Sequence, residues 1–345
     1  MGERTNFSYY RQYDSYYYRE YYVGDEAIQL RGVLKLTFPI DFEVIEDFNA
    51  LERVLFYLFY SSLRVDPFES VVVFCLPYDS FSRRILEKIC EILFETFSIK
   101  GLIIIHPAIA TLVSTGKRTG TVVYLGSDLS YASNIYELSL LKDSVRKARY
   151  GFRNLVDYTR RLLMQKGYSF TTSTERIMLE DLCEKMSYIR TKFDDNMGET
   201  ELKVQAYTMP DGEIISLGEE RYLASELFFE PNLIGKLDEP SLPQIAQECI
   251  SQIWGEKNYD PKQFNNILLT GQAAIPGMKN RLESELNKLS KKREIKVHLD
   301  PFRMHSNFIG SSILTSSKYK LERYLFSSDE YKVVGPSGIY KHIFM

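Results

Sequence analysis

The chain has 345 residues, 44% hydrophobic and 26% charged, a globular balance whose length exceeds the usual reach of one hydrophobic core and predicts two lobes. Its 43 Lys and Arg against 46 Asp and Glu give a formal net charge of −3 with both signs interspersed, so no long-range field gathers nucleic acid or an anionic membrane. Cys75, Cys90, Cys183 and Cys249 lack the spacing of a zinc site, and no apolar run approaches the ~20 residues that span a bilayer, so a soluble intracellular protein with reduced, mostly buried cysteines is expected.

Residues 71–77, Val-Val-Val-Phe-Cys-Leu-Pro, form an apolar run closed by proline, predicting a strand buried on both faces of a sheet. An amphipathic helix follows over 80–97. The strand signal returns at 101–105, a short helix covers 108–114, and 120–124 is another strand that turns at Gly126. Strand, helix, strand with short connections is the grammar of an α/β layer. Alternation over 129–138 indicates antiparallel pairing. From 145 to 193 the pattern is mostly helical, with Leu155, Tyr158, Leu162 and Leu163 on one face. A second set begins with a strand over 267–270 that ends at Gly271. A helix over 277–289 follows, its charged face carrying Lys279, Arg281, Glu283 and Glu285. Two α/β units around a helical insertion predict a cleft between lobes.

Local strings carry more than architecture. Tyr22-Val-Gly-Asp-Glu-Ala27 is followed by Arg31-Gly32 and Phe38-Pro39, then by Leu63-Arg64-Val65, Phe94-Glu-Thr-Phe97, and Thr115-Gly116 with Thr119-Gly120. Gly167-Tyr-Ser-Phe-Thr-Thr172, Glu175-Arg176, Phe229-Glu-Pro231, Pro276-Gly277, Ile309-Gly-Ser-Ser-Ile-Leu314 and Gly335-Pro-Ser337 continue the series. In order and spacing it resembles the actin family over nearly everything after Tyr21. The resemblance implies an α/β, actin/Hsp70-like (ribonuclease H-like) two-lobed fold with four subdomains, around a cleft that in the family holds ATP and a divalent cation. Residues 1–38 would be a remnant of outer subdomain 2, 39–114 with 308–345 subdomain 1, 115–150 with 236–307 subdomain 3, and 151–235 subdomain 4.

The same resemblance implies a degraded cleft. Relatives grip phosphate with two glycine-rich hairpins, whose backbone N–H groups approach the anion while a carboxylate positions the metal. The first, Asp-Asn-Gly-Ser-Gly, is expected to be missing, with its serine and lysine, because the chain begins too near the Tyr22 string. The second reads Tyr124-Leu-Gly-Ser-Asp128 where relatives have Asp-Ser-Gly-Asp-Gly. Tyr124 replaces the metal-orienting aspartate, Gly126 keeps its glycine, and Asp128 puts a carboxylate where a triphosphate would be repelled. Asp128 reads as a solvated turn residue rather than a metal ligand.

Pro107 matches the family's water-orienting glutamine and Tyr131 an assisting histidine, leaving no evident proton relay. His106, on a family apolar position, reads as a structural histidine. At the adenosine end Glu180 and Cys183 match basic residues, Gly271-Gln272 a glycine pair, and Met304 a lysine facing the base. Glu184, matching a ribose-contacting glutamate, and Gly271 are retained. Gly126, Glu184 and Gly271 are therefore the residual nucleotide cleft, expected to support no catalysis and no metal, and at most weak binding of ATP or ADP.

Eight tyrosines lie within the first 22 residues: Tyr9, Tyr10, Tyr13, Tyr16, Tyr17, Tyr18, Tyr21 and Tyr22. They suit a docking arm and equally a terminus without a partner. Phe228, Phe229, Leu233 and Ile234 belong to a family loop expected to be buried under the insertion. A final helix over 319–326 would flank the groove where the family receives amphipathic helices. The resemblance thus implies a non-catalytic cytoskeletal actin-related protein, cytoplasmic, in a filament or complex of the dynactin kind. Its partners would be actin or other actin-related proteins and a helix-donating regulator, with no nucleic acid and no membrane. The alternative is an actin-related subunit of a nuclear chromatin-remodelling complex. Such relatives often carry long insertions or basic tracts, which this chain lacks. A sugar-kinase type of ATPase would need an intact phosphate hairpin and a catalytic aspartate, and neither is evident.

Overall fold

The computed structural model describes residues 2–4, 21–30, 32–41, 44–77, 82–190, 204–209, 212–254, 260, 264–272, 274–290, 294–316 and 321–344. They fall into two units, residues 1–104 with 322–343 and residues 105–321 with 344–345.

In the first unit Gly2–Arg4 (β1) lies between Tyr21–Tyr22 (β2) and Leu34–Leu36 (β3), antiparallel to both. Most of the tyrosine-rich segment lies outside the described residues. Tyr22 is buried with Ala27 and Leu34, and Tyr21 carries the Arg53 guanidinium over its ring at 3.4 Å. Helix Phe48–Phe56 (α1) starts where the Asp47 carboxylate accepts from the Ala50 N–H at 2.9 Å. It widens into a π-helical stretch, Tyr57–Leu63, that ends at Arg64 in the left-handed region. Strand Val71–Cys75 (β4) departs from expectation. Among the described residues it pairs only with Gly101–Ile105 (β5), and Val71 is 43% exposed, so the apolar run is an outer strand rather than one buried on both faces. Helix Arg83–Glu91 (α2) turns one buried stripe, Leu86, Ile89 and Cys90, inward.

The second unit opens with helix Pro107–Ser114 (α3), buried along its whole length. Proline stands at its first position, where no N–H is needed, and the His106 Nδ1 accepts from the Ala108 N–H at 3.2 Å. The structural reading of His106 therefore has a concrete form, a buried N-cap. Strand Gly120–Leu125 (β6) runs antiparallel to Ser130–Tyr136 (β7), which carries Ser139–Leu140 (β8) and Arg146–Ala148 (β9). The strand β9 corrects the expectation of helix from residue 145. Its residues pair with β7, and Gly151 is extended, so the helix Phe152–Gln165 (α4) starts only after it.

Along α4, Leu155 and Leu163 are buried while Tyr158 and Leu162 pack partly against the same core. Helix Ser173–Met186 (α5) opens on a capping box in which Thr172 and Glu175 satisfy each other's backbone N–H groups. A hairpin, Gln205–Thr208 (β10) and Ile214–Leu217 (β11), follows, and helix Leu242–Trp254 (α6) lies on β7, with Asn134 Nδ2 donating to the Cys249 carbonyl at 2.7 Å. Asn266–Gly271 (β12) extends the main sheet parallel to β6, and Lys296–Leu299 (β13) runs parallel to β12. Between them lies helix Met278–Ser290 (α7), and after them helix Ser306–Thr315 (α8), which packs on α3.

Phe228 is fully buried, whereas Leu233 is 40% and Leu237 80% exposed, so the loop expected to be buried is only half so. The expected final helix is also misplaced. Described residues Leu321–Tyr324 make one 3₁₀ turn, Phe326–Ser327 (β14) pairs with β5, and the helix is Ser328–Val334 (α9), capped by Ser327. The cap explains the shift, since the Ser327 hydroxyl accepts from the Glu330 N–H at 3.2 Å. Cys90, Cys183 and Cys249 are buried free thiols and Cys75 is half-buried. Burial pushes the first three up to about 12. Among the described residues no helix is long and apolar enough to cross a membrane.

Glu220 is buried in the second unit and accepts from Lys166 at 2.6 Å and the Gly218 N–H at 2.8 Å. Burial alone would raise its carboxyl, but these donors outweigh burial and hold it below the usual carboxylate range. A depressed folded-state value stabilises above the unfolded value of about 4.3 and is lost as pH falls through the folded one. Glu220→Gln is therefore expected to lower the melting temperature at pH 7 and to shrink that loss progressively below pH 4. An equal loss at pH 7 and pH 3 would contradict the assignment.

Candidate functional site

The turn between β6 and β7 holds Gly126, and its main chain bonds both within the turn and to the first turn of α4. The Gly126 N–H donates to the Leu129 carbonyl at 3.0 Å, while the Gly126 and Ser127 carbonyls accept from the Phe152 and Arg153 N–H groups at 2.9 and 2.8 Å. The first turn of α4 thus sits directly on the hairpin. This contact needs Gly151, because a Cβ there would meet the Ser127 carbonyl carbon at 2.5 Å and the Gly126 and Ser127 oxygens closer still. Asp128 is not the solvated turn residue expected. Its side chain is 7% exposed and its Oδ1 lies 2.9 Å from Arg153 Nε. The turn faces α4, and that neighbour removes the water a turn residue would ordinarily have.

Below the hairpin, Tyr124 stacks on Tyr131 with ring centres 4.9 Å apart at 26°, and His106 meets Tyr131 edge-on at 5.9 Å. Gly271, with φ +79°, lies against this stack. A Cβ there would come within 3.0 Å of Tyr124 Cε2 and closer to the Leu125 carbonyl oxygen, and the next N–H, of Gln272, donates to that oxygen at 2.8 Å.

Beside Gly271 opens a cavity of ≈ 310 Å³, lined by Phe152, Glu184, Gly271, Gln272, Ala274, Ile275, Arg303 and Met304. That is the low end of small-ligand pockets, about 300–1,000 Å³. Its base is held by the buried Asp300 carboxylate, which accepts from Thr270 Oγ1 at 2.6 Å, from the Phe302 N–H at 2.9 Å and from the Ser306 hydroxyl. These bonds fix the bend that carries Arg303, in the left-handed region at φ 42°, and the exposed Met304. On α5, Glu180 is half-buried one turn before the exposed Glu184. Burial raises the Glu180 carboxyl, Arg176 and Arg153 oppose this, and Glu184 and Asp157 add to it.

Of the residues expected at the site, Glu184 and Gly271 therefore line one cavity with Met304, and Gly126 does not. Cys183 is a buried core residue. Phe152, Arg153 and Arg303 went unrecognised in the sequence. An apolar residue opening a helix reads as core, and only Gly151 before it hints at a close backbone approach.

These residues do not fit a metal–triphosphate group. The Gly126 N–H is donated within the turn, the Tyr124 ring is stacked on Tyr131, and the buried Asp128 carboxylate lies in ion-pair distance of Arg153. Among the described residues no group of three His, Cys, Asp or Glu side chains could hold a metal ion. The cavity wall sets the charged Glu184 and Arg303 beside the apolar Phe152, Ala274, Ile275 and Met304.

Comparison with known proteins adds the lineage. A family model described as Actin matches residues 3–344. "Putative actin-29" of Dictyostelium discoideum is 28% identical over 338 residues, covering 94% of this chain and 85% of that protein.

Proposed function

The chain belongs to the actin family, and from that premise we propose that it is a non-catalytic actin-related protein. It acts through protein contacts, as a component of a cytoskeletal filament or complex in the cytoplasm. The observation that carries this reading is the pair of side-chain contacts at the hairpin. Where a nucleotide-dependent member presents an acid and glycines, this chain presents stacked Tyr124 and Tyr131 and an Asp128–Arg153 ion pair. Pro107, at the water-orienting position, is spent on starting α3. Orientation of an attacking water needs a side chain with a lone pair or a proton to offer, and proline has neither.

The partners that suit this reading are actin or other actin-related proteins, together with a regulator that donates a helix. In cosedimentation with purified actin filaments the protein is expected to pellet with them, and to do so equally in ADP and in ATP. Phosphate release from Mg-ATP is expected to stay at the buffer rate for the wild type. Pro107→Gln alone is expected to leave it there, because Tyr124 and Asp128 still exclude the metal and phosphates. Turnover in that variant would sink the non-catalytic reading, and a protein that stays in the supernatant would remove the actin filament as its assembly.

A further inference from the structure

The outer strands of the two units treat their edges differently. In the second unit β13 ends the main sheet, and α7 seals its outer edge with side chains. The Val297 N–H donates to Glu283 Oε2 at 2.7 Å, the Ile295 N–H donates to Asn287 Oδ1 at 2.9 Å, and Asn287 Nδ2 donates to the Ile295 carbonyl at 2.9 Å. In the first unit β4 pairs, among the described residues, only with β5. The Ser70 carbonyl just before it accepts from the Lys100 N–H at 3.0 Å. Alternation along the extended chain then turns the main-chain groups of Val71 and Val73 away from β5. The strand reads Val-Val-Val-Phe-Cys, without the lysine or proline that commonly blunts an exposed edge.

An apolar run leads into this edge. The π-helical stretch after α1 is a form that recurs at functional sites. On it and just beyond it Tyr60, Leu63, Val65 and Phe68 are exposed, Leu63 by 59% and Phe68 by 70%. Local hydrogen bonds hold the approach in shape. The Val65 N–H donates to the Phe59 carbonyl at 3.0 Å, the Asp66 carboxylate accepts from the Phe68 N–H at 3.0 Å, and the Ser70 hydroxyl donates to the Asp66 carbonyl at 2.6 Å. Exposed apolar side chains gathered beside an open strand edge mark a contact surface.

We propose that the outer edge of β4, with the apolar run before it, is a docking site for an extended segment of a partner protein, uncharged and apolar at alternate positions, which adds to β4 as a further strand. The chemistry of the edge names the occupant. Main-chain donors and acceptors two residues apart are matched by another extended backbone with the same repeat, whereas a helix satisfies its own main chain and would leave them unpaired. The uncharged strand and the apolar run beside it select apolar side chains over charged ones. The proposal rests on the reading that the protein acts through protein contacts, and gives one such contact a place and a form.

The test uses the full chain and a synthetic probe, the end-blocked peptide Lys-Thr-Val-Thr-Val-Thr-Val-Thr-Lys, with a control peptide whose central valine is proline. Amide hydrogen exchange over 71–75 is expected to slow about fivefold at about 1 mM probe, as for a site with a Kd of about 0.25 mM, and to ignore the control. Val73→Pro deletes an outward donor, and Val71→Lys puts a charge at the exposed start of the edge. In both variants the probe is expected to slow exchange less than about twofold. Should Val73→Pro not yield folded protein, Val71→Lys carries the comparison, since Val71 is exposed. Sedimentation of the free wild type is expected to show a monomer. Exchange over 71–75 that ignores the probe, or slows equally with the proline control, would overturn the docking site. A dimer of the free wild type that Val73→Pro dissolves would also overturn it, because the edge would then belong to a second copy. Phosphate release from Mg-ATP above the buffer rate would remove the non-catalytic reading instead, so the two failures are told apart.

Discussion

Gly310→Ala is expected to cost about 3 kcal/mol of stability, at the upper end of what overpacking a core inflicts. Helices α3 and α8 cross with Gly310 seated on the backbone of Ala110. A Cβ at 310 would lie 2.9 Å from the Ala110 Cα and closer still to its carbonyl carbon and oxygen. Nothing flexible can yield there, because the obstacle is main chain and α3 is buried along its whole length. Relief requires moving α8 away from α3, which also stretches the 2.8 Å hydrogen bond from Thr111 Oγ1 to Asn307 Oδ1. For a unit of this size the melting temperature should fall by roughly 6 to 12 °C. Gly32→Ala is the control: no atom lies within 4 Å of a Cβ at that position, and the change should stay within about 0.5 kcal/mol. A Gly310→Ala protein that melts with the wild type would show that the helices are not packed at this distance.

A comparable loss, about 3 to 5 kcal/mol, is expected from Arg281→Met, since removing one member of a buried ionic network leaves the others desolvated. Arg281 on α7 is 2% exposed. Its Nε meets Glu285 Oε1 at 2.9 Å, its Nη1 donates to the Arg190 carbonyl at 2.6 Å and lies 3.4 Å from Glu226 Oε1, and its guanidinium sits 4.7 Å from the Phe229 ring centre. Methionine replaces the packing volume and none of the four interactions. Adding Glu226→Gln and Glu285→Gln to Arg281→Met should recover part of the loss, because the stranded charges go with it. The exposed pair Lys332–Asp329 offers the contrast, since breaking it should change stability by less than about 1 kcal/mol. Urea unfolding of all these variants decides the matter, and equal effects at the two pairs would contradict the burial argument.

Legibility in the sequence followed the strength of local periodicity. Gly101–Ile105 was readable to the residue because Leu102–Ile105 run apolar between a glycine and the His106-Pro107 start of a helix. The strands β6, β7 and β12 were readable within one or two residues for the same reason. Arg146–Ala148 was not, because a three-residue strand headed by two basic residues has no period to detect, and its existence depends on the β7 edge. Val71–Cys75 shows the opposite failure: its composition is that of an interior strand, while its place beside β5 leaves Val71 exposed. Gly271, Glu184 and Met304, named in the sequence through the family resemblance, line one cavity. The Asp128–Arg153 pair was not legible, since neither residue signals the other and only the docking of α4 on the turn brings them together.

The most direct test of the central claim is calorimetric titration of the purified full chain with Mg-ATP, run beside a phosphate-release assay. The expected result is at most weak binding, with a Kd of about 1 mM or above, and no release of phosphate beyond buffer. A saturating isotherm in the micromolar range accompanied by turnover would mean that other residues rebuild the phosphate site, and would contradict the reading of this protein as a non-catalytic member of its family.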